Sequence, residues 1–202
     1  MTAIMRHQCL IYEGSPVQYL KHLTAVVSEK LHENWRCAYF NSPAMVAGIR
    51  SYLSAAGIDV FDQISRGALM LSSDQSHIVN GRFRGDLMLQ MLSRAANDAV
   101  RDGYSGLWAT GDMTWELGPE KDISRLLDYE WQLEEMFRMH PQLSGVCQYH
   151  IDSLPANASK IALHTHQAVF INETLSRLNP DYRAGIDGGS QRWISPDQSD
   201  SR

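Results

Sequence analysis

The hydrophobic pattern of the chain alternates between short apolar runs and longer segments in which apolar residues recur every three or four positions. The first run, His7 to Tyr12, has the length of a buried strand. Ser15-Pro16-Val17-Gln18 follows, with the form of a capping box that carries proline at the first helical position. It opens a predicted helix that ends near Asn34. The chain is therefore expected to begin with a strand, a turn and a helix.

The same order repeats through the rest of the chain. Further strands are predicted at Arg36 to Phe40, Ala68 to Ser72, Leu107 to Thr110, Gly145 to Tyr149 and Ala168 to Asn172. Helices are predicted from Ser42-Pro43 to Gly57, from Arg84 to Asp102 and from Glu120 to Met139, with a polar loop through Asn80-Gly81. Such alternation favours right-handed crossovers between parallel strands. We therefore expect an α/β fold, a mostly parallel β-sheet with helices on both faces.

Composition adds domain limits to this pattern. The 202 residues suit one domain, and 44% hydrophobic with 20% charged residues is typical of a globular protein. From position 184 onward the chain is dominated by Asp, Gly, Ser, Pro and Arg. Residues 1–183 are therefore predicted to form the domain, and residues 184–202 a polar flexible tail.

Charge and hydropathy exclude several classes of protein. A net charge of -5 without clustered Lys and Arg argues against direct nucleic-acid binding. No apolar run approaches the roughly 18 residues of a membrane helix, and the N-terminal segment lacks a signal-peptide pattern. Cys9, Cys37 and Cys147 are far apart and are predicted to be buried thiols. We expect a cytoplasmic protein without membrane contact, and a homodimer remains open.

Candidate ligand contacts come from the expected topology. Ligands of open parallel sheets bind beyond the carboxyl ends of the strands, where loops and helix N-termini surround a crevice. The residues at these positions are expected to form one rim. They are Tyr12, Glu13, Ser15, Asn41, Ser42, Ser73, Asp74, Gly111, Asp112, Met113, Tyr149 and His150.

Two parts of the chain place carboxylates beside apolar residues. In Gly106 to Trp115, Asp112 and Trp115 together offer the polar and apolar contacts of a small-molecule pocket. Alternatively, Asp112 caps the next turn and Trp115 packs in the core. Glu130 falls on the inward stripe of its predicted helix, beside Tyr129, where carboxylates are rare unless paired. It either contacts a ligand or an ion-pair partner, or lies at a boundary where its carboxylate reaches water.

Catalytic and cofactor motifs are weak. His164 and His166 form an HxH pair near Cys147 and His150, but a third metal ligand is not identified, so neither a metal nor a cofactor is predicted. His7 is interpreted in the same way, as a hydrogen-bonded histidine. An enzyme would need Glu130 or Asp112 as a base beside His150 or His166, and no recognisable catalytic motif is present. We therefore expect a non-enzymatic protein.

A phosphate-binding loop is also absent from the sequence between the first strand and its helix. Tyr12-Glu13-Gly14-Ser15-Pro16 stands there, with one glycine and an acid in place of the lysine. ATP hydrolysis by the usual machinery is therefore not expected.

Taken in order, motifs over nearly the whole chain resemble the MEDS domain, a sensory domain of methanogens, methylotrophs and the dichloromethane-responsive regulator. The motifs are His7-Gln8-Cys9-Leu10-Ile11-Tyr12-Glu13, Gly57-Ile58-Asp59-Val60, Arg66-Gly67-Ala68-Leu69, Gly81-Arg82-Phe83, Gly103-Tyr104-Ser105-Gly106-Leu107, Gly111-Asp112-Met113-Thr114-Trp115, Tyr129-Glu130, Cys147-Gln148-Tyr149 and Leu154-Pro155. Two positions depart from the family pattern: His150 stands where aspartate is typical, and Gln167 where proline is usual.

The resemblance implies a sensor of simple hydrocarbon derivatives, and a core similar to RecA- and KaiC-type P-loop folds that has lost its phosphate loop. Such domains are usually joined to a helix-turn-helix or histidine-kinase module, for which the polar C-terminal segment is too short. We expect a stand-alone domain that binds a small organic ligand and signals to a separate regulatory protein. The alternative is a degenerate P-loop-like protein that binds a nucleotide or acts as an interaction scaffold. The predicted ligand-binding residues are Tyr12, Glu13, Asp112, Trp115, Tyr129, Glu130, Tyr149 and His150.

Overall fold

The computed structural model describes residues 6–183. Its strands are β1 (His7–Tyr12), β2 (Arg36–Phe40), β3 (Leu69–Ser72), β4 (Ile78–Val79), β5 (Arg82–Phe83), β6 (Leu107–Asp112), β7 (Leu143–His150), β8 (Ala168–Asn172) and β9 (Leu175–Leu178). Its helices are α1 (Val17–His32), α2 (Pro43–Ala55), α3 (Val60–Ser65), α4 (Gly85–Arg101), α5 (Met113–Glu116), α6 (Leu126–Met139) and α7 (Ala158–Thr165). Within residues 6–183, no helix combines the length and apolarity needed to cross a membrane. The predicted tail, 184–202, lies outside the described residues.

Seven of the strands form one sheet in the order β3-β2-β6-β7-β1-β8-β9. All neighbouring pairs in it are parallel except β8 with β9, which is antiparallel. The predicted mostly parallel α/β fold is thus confirmed. The similarity to RecA- and KaiC-type folds stays a prediction from the resemblance.

Helices cover both faces of the sheet, and each face has its own hydrophobic core. Residues of α1, α2 and α3 pack on one face, called the α1 face below. Residues of α4, α6 and α7 pack on the other, called the α6 face. Successive side chains of a strand point to opposite faces, so in β6 Trp108 enters the first core and Ala109 the second.

Two predicted helix starts need correction. The residue that precedes α1 is Pro16, and Ser15 makes no side-chain cap; its carbonyl oxygen accepts a hydrogen bond from the Gln18 N–H at 3.1 Å instead. The capping box is therefore absent. Helix α6 begins at Leu126 rather than Glu120, because the Asp122 carboxylate accepts from the Ser124 N–H at 2.9 Å and holds that segment as a turn.

The polar loop through Asn80 and Gly81 contains a β-hairpin, formed by β4 and β5. Asn80 and Gly81 have φ angles of 52° and 77°, as a tight turn between antiparallel strands requires. The hairpin and the residues before it contact α5, which follows β6, and the residues after α5. The Gln75 side chain donates to the Trp115 carbonyl oxygen at 2.7 Å, and Ile78 packs against Gly118.

Candidate functional site

The residues expected to form one rim are divided between the two faces of the sheet. On the α1 face, the Tyr12 hydroxyl donates to Asp112 Oδ2 at 2.7 Å, and the rings of Tyr12 and His150 stack with centroids 5.0 Å apart. Tyr149 belongs to the core of the α6 face. It precedes His150 on the same strand, and neighbouring side chains of a strand point to opposite faces. The expectation of a single rim is therefore corrected to two clusters, one on each face.

Asp112 also performs the structural role that its sequence position allowed. Its Oδ1 accepts from the Thr114 N–H at 2.8 Å and so caps α5. Trp115, half-buried in the next turn, packs against the core of the α6 face and meets the ring of His77 edge-on at 5.4 Å. Capping and packing account for the positions of both side chains.

The turn after β1 shows how an acid occupies a position suited to an anion. Glu13 is exposed, and the Gly14 N–H behind it donates to Asp152 Oδ2 at 2.7 Å. In a phosphate-binding loop such N–H groups point at the ligand. Here the Asp152 carboxylate accepts the hydrogen bond that a phosphate would accept.

Glu130 lies in the second cluster, on the α6 face, and is fully buried. The Tyr149 hydroxyl donates a hydrogen bond to its Oε1. The boundary interpretation, with a carboxylate reaching water, is therefore wrong. Burial raises the pKa of Glu130 to about 8, although the bond from Tyr149 opposes this shift.

Glu116 is a buried carboxylate that the sequence analysis missed. Its Oε2 has no hydrogen-bond partner among residues 6–183, and burial, with Glu130 and Asp112 adding repulsion, raises its pKa to about 8. Gly111 makes room for it, since a Cβ there would stand 1.7 Å from Glu116 Oε1. Its sequence signal is its position one helical turn after Asp112 in a largely apolar segment.

A cavity of about 750 Å³ opens where the N-termini of α4 and α6 meet the β4–β5 hairpin. We call it the hairpin cavity. Of the eight predicted ligand-binding residues, Tyr129 alone lines it. Its lining residues are Arg82, Phe83, Arg84, Gly85, Asp86, Asp122, Ser124, Arg125, Asp128, Tyr129 and Gln132.

Tyr129 and Phe83 form the apolar part of this lining. Their rings meet edge-on with centroids 4.9 Å apart, and Gly85 permits the approach because a Cβ there would lie 2.8 Å from the Tyr129 ring. Three arginines and three aspartates make up most of the remaining wall. These charged residues were not predicted from the sequence, in which the Asn80-Gly81 hairpin signal was the available clue.

Four side chains of types that can ligate a metal meet on the α6 face, and Glu130 is one of them. His7, Glu130, Cys147 and His166 each offer one nitrogen, oxygen or sulfur atom, and these atoms lie within 4.8 Å of one another. We call them the His7 cluster. Burial lowers the pKa of His7 to about 3 and that of His166 well below its usual value. The cluster includes two members of the set considered from sequence, Cys147 and His166, but neither His150 nor His164.

Comparison with known proteins supports the fold and identifies a family. A crystal structure of the uncharacterized protein PH0321 from Pyrococcus horikoshii, in complex with an unknown peptide, matches with a TM-score of 0.55 and 14% identity. The match covers 82% of this chain and 76% of that one, and at this identity it concerns the fold alone. No curated protein matches the chain. The model of the MEDS family, the methanogen/methylotroph, DcmR sensory domain, matches residues 6–167, so the chain belongs to this family of sensory domains.

Proposed function

We propose that the protein is a sensor that binds a small organic molecule in the hairpin cavity and is read by a separate regulatory or signalling protein. Membership of a sensory family supports the role. The observation that carries the proposal is the cavity itself, because about 750 Å³ falls within the range of small-molecule sites. The proposed binding site lies beside the hairpin rather than at the ends of the strands.

The chemistry of the walls favours a simple hydrocarbon derivative that carries a polar or anionic group. Phe83 and Tyr129 offer apolar contact, whereas Arg82 and Arg125 offer charged N–H donors. The N-termini of α4 and α6 also face the cavity, and free backbone N–H groups at such ends favour negative charge. Arg84 is paired with Asp86 at 2.6 Å, which leaves Arg82 and Arg125 as the better candidates for ligand contact.

The hairpin offers a route from ligand to signal. Phe83 is in contact with Tyr129, and His77 Nε2 lies 3.1 Å from the carbonyl oxygen of Glu116. A ligand held between the hairpin and α6 would have a different affinity for each position that the hairpin can adopt. Such a difference in affinity shifts the equilibrium between the two conformations. The partner protein would then recognise the hairpin side of the domain.

Two observations favour a sensor over the other classes considered. The Gly14 N–H is already bonded to Asp152, so the turn after β1 is poorly suited to a nucleotide phosphate. The acid and histidine that an enzyme could use, Glu130 and His166, lie 3.7 Å apart, but both are fully buried and neither lines the hairpin cavity. We propose that the protein does not catalyse a reaction.

Binding should depend on Arg125. We expect at least one small organic anion or polar one-carbon compound to raise the melting temperature, and Arg125→Gln to weaken its binding about tenfold or more, because a charge-assisted hydrogen bond is lost. Calorimetric titration of compounds that raise the melting temperature measures this loss. Nucleotides belong in the same panel.

Arg50→Gln is the matched control, since Arg50 is an exposed arginine on α2, on the opposite face of the sheet. It should leave ligand binding unchanged. Binding that tolerates loss of Arg125 and of Arg82 would place the ligand elsewhere, and stabilisation by nucleotides alone would favour the nucleotide-binding alternative.

A further inference from the structure

The His7 cluster brings together side chains from four elements or their ends. His7 comes from β1, Glu130 from α6, Cys147 from β7 and His166 from the end of α7. His7 Nε2 lies 3.6 Å from Cys147 Sγ and 3.8 Å from Glu130 Oε2. His166 Nε2 lies 3.7 Å from the same Glu130 oxygen. The potential ligand atoms therefore surround one point.

Two of these atoms lack any hydrogen bond although they are buried. Among residues 6–183, neither Glu130 Oε2 nor His166 Nε2 has a hydrogen-bond partner, and both residues are fully buried. An unpaired buried polar atom costs about 1–3 kcal/mol, and more when charged. Both atoms face the centre of the cluster, 3.7 Å apart. A cation that accepts a lone pair from each atom would remove this cost.

The two imidazole rings are already held as metal ligands usually are. His166 Nδ1 lies 2.8 Å from the Ala162 carbonyl oxygen, which can only accept, so Nδ1 carries the proton and Nε2 presents its lone pair to the cluster. His7 Nδ1 lies 2.7 Å from Glu134 Oε2. A carboxylate or carbonyl behind the ring is the usual support of a metal-ligating histidine.

The supports of the cluster are themselves anchored. Glu134 Oε1 accepts hydrogen bonds from the Gln167 side chain at 3.0 Å and from the Tyr182 hydroxyl at 2.8 Å. The Tyr149 hydroxyl holds the other oxygen of Glu130. The Glu134 and Glu130 carboxylates are therefore fixed in orientation before any ion binds.

We propose that His7, Glu130, Cys147 and His166 bind one divalent transition-metal ion, with zinc as the best fit. Two nitrogens, one oxygen and one sulfur are a ligand set that zinc accepts, and atoms about 2.0–2.3 Å from one tetrahedral ion lie about 3.3–3.6 Å apart. Three of the separations, 3.6, 3.7 and 3.8 Å, are close to these values, and all four atoms lie within 4.8 Å of one another.

Charge balance supports the same ion. Binding converts the Cys147 thiol to a thiolate and the Glu130 carboxyl to a carboxylate and releases their protons to solvent, so that these two ligands together neutralise a divalent cation. A neutral complex avoids the large cost of an unpaired buried charge. A second cavity of about 120 Å³ is lined in part by His7 and Glu134 and so lies beside the cluster.

Metal content tests the proposal directly. Protein prepared without a histidine tag, from zinc-supplemented medium and passed over a chelating resin, should carry about one zinc per chain by mass spectrometry. Cys147→Ser and His166→Gln should lower this content about tenfold or more, because even loss of a supporting residue typically costs 10–100-fold in affinity. Circular dichroism checks that each variant is folded.

Two matched variants serve as controls. Cys37→Ser removes another buried thiol, on the α1 face, and His164→Gln removes the neighbouring histidine of the HxH pair. Both should retain about one zinc per chain. Equal zinc loss in Cys37→Ser and Cys147→Ser would contradict the assignment.

Cobalt gives a readout that does not require a folded variant. Titration of metal-free wild-type protein with Co²⁺ should produce a thiolate-to-cobalt charge-transfer band in the near ultraviolet that saturates at one equivalent. Wild-type protein that retains less than about 0.1 zinc per chain and shows no such band would overturn the proposal. The site is separate from the hairpin cavity, so this result is independent of the proposed sensory function.

Discussion

Replacing Gly145 with alanine is expected to lower the free energy of unfolding by more than about 3 kcal/mol, or to prevent folding. Gly145 lies in β7, which pairs with β6 and β1 at the centre of the sheet. An added Cβ would stand 2.1 Å from the Ala109 carbonyl oxygen, a backbone atom of the neighbouring strand. Relief requires the two strands to separate, which breaks their hydrogen bonds. Urea denaturation followed by circular dichroism measures the loss.

Gly48→Ala provides the contrast. A Cβ at Gly48 would meet the end of the Leu20 side chain at 2.9 Å, and that flexible group can move. Alanine also favours the interior of α2 by up to about 1 kcal/mol, so the net change should be small. A Gly145→Ala variant as stable as Gly48→Ala would show that the central strands tolerate a wider spacing.

The strands could be predicted because parallel strands that are buried on both faces have continuous apolar sequences. The bounds of β1 and β2 in the structure are those predicted from the sequence. By contrast, β9 was not predicted: it is short and largely exposed, and it exists because it pairs with β8. Helix α3 was missed although Asp59, whose side chain accepts from the Asp62 N–H at 3.0 Å, marks its start.

The residues expected to form one rim follow the ends of their strands, but they lie on both faces of the sheet rather than on one. Position after a strand is visible in the sequence, whereas the face depends on the register between strands, and a shift of one residue exchanges the faces. In the structure Tyr12 pairs with His150 and Asp112 pairs with Gln148. This register sends Tyr12 to one core and Tyr149 to the other.

Long-range contact also explains why the His7 cluster was not predicted. The HxH pair drew attention to His164 and His166, but a local pattern cannot show which of the two turns inward. His166 is fully buried, and its ring lies 3.9 Å from that of His7, which comes from the other end of the chain. Pairings of this kind follow from the order of β1 and β7 in the sheet, which the sequence pattern leaves open.

Glu116→Gln is expected to stabilise the protein at alkaline pH by on the order of 4 kcal/mol and to have little effect at pH 5. The pKa of Glu116 rises from 4.5 to about 8 in the folded protein, chiefly because of burial. Between these values the folded protein holds a proton that the unfolded chain releases. Stability is therefore lost as the pH rises from about 4.5 to about 8, at about 1.4 kcal/mol per pH unit. Glutamine keeps the shape of the protonated side chain and does not ionise.

The measurement is the difference in free energy of unfolding between Glu116→Gln and wild type, from urea denaturation at pH 5 and at pH 8.5. Glu29→Gln, which changes an exposed glutamate on α1, is the control and should alter stability by less than about 0.5 kcal/mol at both values. Glu130 remains in every variant, so its burial is common to each comparison, and the measured difference includes the loss of its repulsion with Glu116. A Glu116→Gln difference that is equal at the two pH values would mean that Glu116 is ionised in the folded protein. Its carboxylate would then be stabilised by a cation or by water beside Gly111.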